Sequence, residues 1–135
     1  MTDQEVFDKV CSAMMETGRP AVQPNGDCVQ VAADGSRCAY GVFAFPPQKT
    51  ADESITHGEH APLLRSMFYI HNYLPPAYWT VGFAIVTQAF GLIPRGFIPV
   101  ESAEVKASRR AALREIKKNV AKGIDATPTV CKVGA

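Results

Sequence analysis

Two cysteines, two histidines and a set of carboxylates hold most of the chemical potential of this 135-residue chain. Cys28, Cys38, His57 and His60 are the side-chain types of a closed tetrahedral zinc site. Their spacing argues against one. The cysteines stand nine apart across a turn rather than in a tight CxxC knuckle. Cys38, His71 and Asp34 supply the types used by cysteine hydrolases, and Ser36 with His57 those of a serine enzyme, but without a family signature. No Gly-x-Ser-x-Gly elbow occurs. Gly35 and Gly41 do not form a phosphate-binding loop. Asp52, Glu53 and Glu59 lie in a polar run that fixes no separation between carboxylates. We therefore assign no catalytic residue, no metal ligand and no cofactor. A small hydrolytic or thiol-dependent enzyme using Cys38, His57 or His71 is kept as an alternative.

Charge points elsewhere. Fourteen Lys and Arg against 13 Asp and Glu leave a formal charge of +1, too little for a field that attracts nucleic acid or membrane. The segment from Glu101 to Lys122 is different: seven basic residues against three acidic ones give it +4. Plotted at about 100° per residue, Lys106, Arg110, Arg114, Lys117 and Lys118 share one broad face. Arg109 falls nearer the apolar arc. The helix lacks aromatic residues on which bases would stack, so nucleic-acid contact is an alternative, and a solvated face or an acidic protein partner is the main reading. A second interaction candidate is the cluster of Tyr73, Tyr78 and Trp79 around Leu74, Pro75 and Pro76, whose exposed members would suit an interface.

These groups need elements to position them. Val6, Phe7, Val10, Cys11, Met14 and Met15 form an apolar stripe that predicts a first helix. Thr2 caps it, Glu5 closes a capping box, and Gly18 with Pro20 stops it. Asn25 and Gly26 mark a turn. Cys28–Val31 and Ser36–Val42 read as short strands joined at Asp34 and Gly35. That hairpin pairs Val31 with Ser36, Val29 with Cys38 and Cys28 with Ala39, and sends the two thiols to opposite faces. The polar stretch 46–60 reads as an irregular loop. A helix begins at His60 and passes through Leu63, Leu64, Met67 and Ile70, placing His71 near its end, where its charge would suit the terminal carbonyls. A further helix runs from about Pro76 to Phe90. Gly91 and Pro94 stop it, and residues 96–99 form a connector. The last helix spans Glu101 to Lys122, with Gly123 as its C-cap.

The fold class expected is α+β: a mainly helical single domain over residues 1–124, with a short antiparallel β-hairpin after the first helix. Residues 125–135 form a loose tail. The apolar content of 47% is ordinary for a globular domain. The start MTDQEVFDKV is acidic and lacks an apolar signal-peptide core, and no apolar run spans a bilayer. Cytoplasmic residence and four reduced thiols are the corresponding expectations.

The segments EVFDKVCSAMMETGRPAV, DCVQVAADGSRCAYG and IHN…W…GFAIVTQAFGL resemble a family of small, poorly characterised proteins of bacteria and their phages. The likeness covers roughly residues 4 to 92, with Cys28, Cys38, His71 and Trp79 at matching positions. Where the family's pattern often continues with another cysteine, this chain has Val42 and Phe43. The resemblance implies an N-terminal helix followed by a compact cysteine-containing hairpin, and no activity. The basic last helix lies outside it. The resulting expectation is a non-catalytic protein-interaction or modulator protein, related to a phage or host process.

Overall fold

A computed structural model describes residues 1–22, 25–45, 50–94, 107 and 109–125. Its helices are α1 (Asp3–Thr17), α2 (Glu53–Thr56), α3 (Ala61–Tyr73), α4 (Trp79–Phe90) and α5 (Arg109–Asp125), with 3-10 turns at Gly41–Phe43 and Pro76–Tyr78. The central helix is α3, which packs against each of the other four.

The ends of α1 follow from its sequence. Thr2 and Glu5 form the reciprocal capping box, and Gly18 closes the helix at φ 68°, a left-handed conformation that costs glycine nothing. Val6, Phe7, Val10, Cys11 and Met14 are all fully buried. They meet Leu63, Leu64, Met67 and Ile70 of α3 and Phe83 and Val86 of α4 in one core. Phe7 and Phe83 cross edge to face at 6.1 Å. The side-chain amide of Gln4 also pairs with both backbone groups of Ile93, at 3.0 and 2.7 Å, and so ties the exit of α4 to α1.

The expected α+β class is corrected: the described residues are mainly helical and contain no β-strand. Where a hairpin was expected there are two isolated antiparallel bridges, Val22 with Cys28 and Val31 with Arg37. The turn at Asp34 and Gly35 does form. Ala32 N–H donates to Ser36 O at 2.8 Å, and Cys38 N–H to Gln30 O at 3.0 Å. The register is one residue away from the expected pairing. Two causes stop a ladder from growing. Val29 N–H turns the other way, to Ala21 O. Beyond Cys38 the chain curls into its 3-10 turn, held by Arg37 Nη1 donating to Gly41 O and Ala44 O at 2.9 and 2.6 Å. Residues 38–44 are all buried, whereas a strand on a sheet face would alternate.

Three helix boundaries also differ from expectation. The polar stretch contains α2, because Asp52 caps it by accepting from Ser54 N–H at 2.8 Å. Pro76–Tyr78 is a 3-10 turn, so α4 starts at Trp79. The last helix continues through Gly123 to Asp125. The expected connector at 96–99, the start of the last helix at 101–106, and tail residues 126–135 lie outside the described residues. No helix among the described residues is long and apolar enough to cross a membrane.

Candidate functional site

The described cysteines, Cys11, Cys28 and Cys38, do not assemble a reactive centre. Cys11 and Cys38 are free and buried. Burial pushes the Cys38 thiol up to about 11, despite backbone hydrogen bonds that favour its thiolate, and pushes the Cys11 thiol up further. A nucleophilic cysteine needs the opposite shift. Cys28 is disulfide-bonded, which corrects the expectation of reduced thiols there. Its partner is neither Cys11 nor Cys38. Cys131 lies outside the described residues. With its sulfur committed, Cys28 cannot join Cys38, His57 and His60 around zinc. Among the described residues no three Cys, His, Asp or Glu side chains could hold a metal.

Each histidine has a local partner. His57 Nδ1 meets Thr56 Oγ1 at 2.8 Å. His60, buried at the start of α3, meets Asp3 Oδ1 at 2.6 Å and joins two helix N-termini. His71 is buried edge-on against Trp79, 5.2 Å between ring centroids. It does not serve the terminal carbonyls of α3; its Nε2 donates instead to Arg19 O. Burial holds its pKa below the ordinary value, against that hydrogen bond. Asp34 is also a scaffold group. Its carboxylate accepts from Ser36 Oγ and N–H and pairs with Arg19 at 2.9 Å, which together hold it far below the usual range. Gln30 was not singled out by sequence reasoning. It is buried, and its Oε1 accepts from Ala51 N–H at 2.8 Å.

The aromatic cluster divides. Trp79 is 2% exposed and donates its indole N–H to Leu74 O at 3.1 Å. Tyr78 is half-buried. Tyr73 is 68% exposed, but its ring stacks on Tyr69 and meets Phe68 edge-on. A continuous aromatic patch from Tyr73 to Trp79 is therefore not presented.

The surface on α5 is built differently. Ile116 and Val120 are buried and Leu113 half-buried, which fixes the inward arc. Arg110, Arg114, Lys117, Lys118 and Lys122 are all exposed on the opposite arc. Lys106 lies outside the described residues, as does the side chain of Arg109. The acid within this stretch, Glu115, is turned aside. Its carboxylate accepts from Asn119, whose amide also donates to Tyr69 OH at 3.0 Å. None of the five exposed cations pairs with a carboxylate among the described side chains. The charge is segregated along the chain as well. Residues 1–94 hold nine acidic and five basic residues, a net −4, whereas Arg109–Asp125 hold six basic and two acidic, a net +4.

Comparison with protein-family models, with curated proteins and with solved structures gave no match.

Proposed function

We propose that this chain is a non-catalytic interaction module, a modulator of a phage or host process, that binds an acidic surface of a protein partner through the outward face of α5. The observation that carries the reading is the ridge Arg110, Arg114, Lys118 and Lys122, spaced four residues apart and without a carboxylate partner among the described side chains. Solvated helices commonly offset such charges with acids one turn away. Like charges at that spacing instead destabilise a helix by about 0.2–0.5 kcal/mol per pair. The three pairs here cost roughly 1 kcal/mol at low salt, and an anionic partner removes that cost. Lys117 widens the ridge. A protein partner is favoured over nucleic acid because the ridge carries no aromatic side chain.

Cytoplasmic residence remains part of the proposal. In that reducing compartment the Cys28 disulfide would be the labile feature of the chain.

The test compares the full chain with an Arg110→Glu, Arg114→Glu variant, each immobilised and exposed to extract of the source organism with and without nuclease treatment. Both positions are exposed, so the fold tolerates reversal. One stoichiometric protein held by the wild type and lost by the variant supports the proposal. Equal capture by both removes it. Capture that disappears on nuclease treatment transfers the ridge to nucleic acid, with a steep dependence on salt.

A further inference from the structure

The helix beside the ridge has an unusual outer face. The α4 sequence WTVGFAIVTQAF contains no charged residue. Val81, Phe83 and Val86 point into the core, but Ala84, Gln88 and Ala89 are exposed and Ile85 is half-buried. A helix in contact with water normally places charged groups on that side, and one that is apolar nearly all round is normally covered. Between this face and α5 lies a slot of about 250 Å³, lined by Ile85, Gln88, Ala89, Lys117, Val120 and Ala121. Small-molecule pockets run from about 300 to 1,000 Å³. The slot falls below that range and is of a size for a side chain.

Its position defines what can enter. Ala121 follows Lys117 by one turn and falls between Arg114 and Lys117 around the helix, so the slot opens onto the cationic face. No acid on α4 offsets that charge. A polyanion without apolar groups would leave the slot empty, and an apolar ligand would leave the ridge unanswered. Carboxylates flanking an aliphatic side chain satisfy both.

We infer that the α4–α5 slot seats an aliphatic side chain from an acidic amphipathic segment of a protein, whose carboxylates lie on Arg114, Lys117 and Lys118. The inference rests on the reading of α5 as the binding face, and it assigns the partner to the helix-in-groove mode of recognition.

The test is a fluorescence-anisotropy titration of the full chain with two synthetic peptides and a single-stranded oligonucleotide. One peptide is an acidic amphipathic helix with leucines on one face; the other has those leucines replaced by serine. Ala121→Phe fills the mouth of the slot without changing charge, at an exposed position, and Ala89→Phe does so from the opposite wall. Circular dichroism confirms that each variant is folded. Either filling substitution weakens the leucine peptide about tenfold, as expected when one aliphatic side chain is kept in water, and leaves the serine peptide unchanged. Arg110→Glu with Arg114→Glu weakens both peptides. Equal affinity for the two peptides, or full affinity in both filled variants, overturns the slot while the ridge stands. Failure of both peptides to bind the wild type at low salt overturns slot and ridge together. Preference for a single-stranded oligonucleotide over both peptides overturns the protein assignment.

Discussion

His71 in α3 donates its Nε2–H to the backbone carbonyl of Arg19, 3.0 Å away across 52 positions of sequence. A carbonyl can only accept, so the contact fixes the tautomer and leaves Nδ1 bare; that atom is buried without a partner among the described residues. The same carbonyl accepts from Thr17 Oγ1 at 3.2 Å. The bond therefore holds the segment leaving α1 against the middle of the bundle. Burial, acting against that bond, keeps His71 a neutral core residue.

Stability should fall on acidification through this ring. Burial lowers its folded pKa, while the unfolded chain takes up a proton near the ordinary histidine value of about 6.5. Above that value both states are neutral and His71 contributes no slope. Below it the unfolded state binds more protons, so stability is lost as pH falls toward the depressed folded value. Urea unfolding at stepped pH should show a shallower acid loss in His71→Phe than in the wild type. At neutral pH the variant should be less stable by about 1 kcal/mol, from the hydrogen bond removed. Parallel pH profiles would contradict the neutral assignment.

Thiol labelling should separate the cysteines. With its thiol near 11, Cys38 should react with iodoacetamide at pH 8 on the order of a hundredfold more slowly than an exposed cysteine. Cys11 should be slower still, since burial raises it further. Cys28 should remain unlabelled until a reductant is added. Peptide mapping by mass spectrometry reads all three. Rapid labelling of Cys38 in the folded protein would reopen the thiol-dependent enzyme as a reading.

Two glycines permit close approach, with different tolerances. A Cβ on Gly41 would run into the backbone carbonyl of Gln30, which already accepts from Cys38. Gly41→Ala should cost about 3 kcal/mol or more, since backbone must move against backbone. A Cβ on Gly82 would lie 2.8 Å from Ile70 Cδ1, a movable side-chain end. Gly82→Ala should cost about 1–3 kcal/mol, the range for overpacking a core. Chemical denaturation of the two variants should give that order, and the reverse order would refute the close docking of the 38–44 turn on Gln30.

These contacts show which features are legible in the sequence. Thr2, Glu5 and Gly18 act through residues close by in the chain, and their caps read directly. The apolar spacing of Leu63, Leu64, Met67 and Ile70 likewise reveals the inward face of α3. The hairpin misleads because the Asp34–Gly35 turn is local, whereas the contacts that shape the chain on either side of it are not. Arg37 reaches seven residues ahead to Ala44, and Val29 reaches back to Ala21. The polar stretch hides α2 because four residues are too few to show a period. Cationic spacing in α5 is visible. Its lack of counter-charges among the described side chains is not, because that depends on where Glu115 turns. The slot beside it joins α4 to α5, segments far apart in sequence.

The last expectation opposes stability to binding on the ridge. Lys118 sits four residues after Arg114 and four before Lys122, with like charge on both sides. Lys118→Glu converts both repulsions into attractions, its glutamate precedes Lys122, the better orientation, and one new like-charge pair with Glu115 three residues back offsets part of this. The free protein should gain about 0.5–1 kcal/mol at low salt, with the gain shrinking as salt screens the pairs. Affinity for an acidic peptide should fall in the same variant, because a carboxylate now faces the ligand. Thermal unfolding at low and high salt, beside an anisotropy titration, measures both effects on one preparation. A solvated ridge with no partner predicts the stability gain alone. A ridge whose cations already find counter-charges predicts no gain, and that outcome would remove the basis for assigning α5 a binding role.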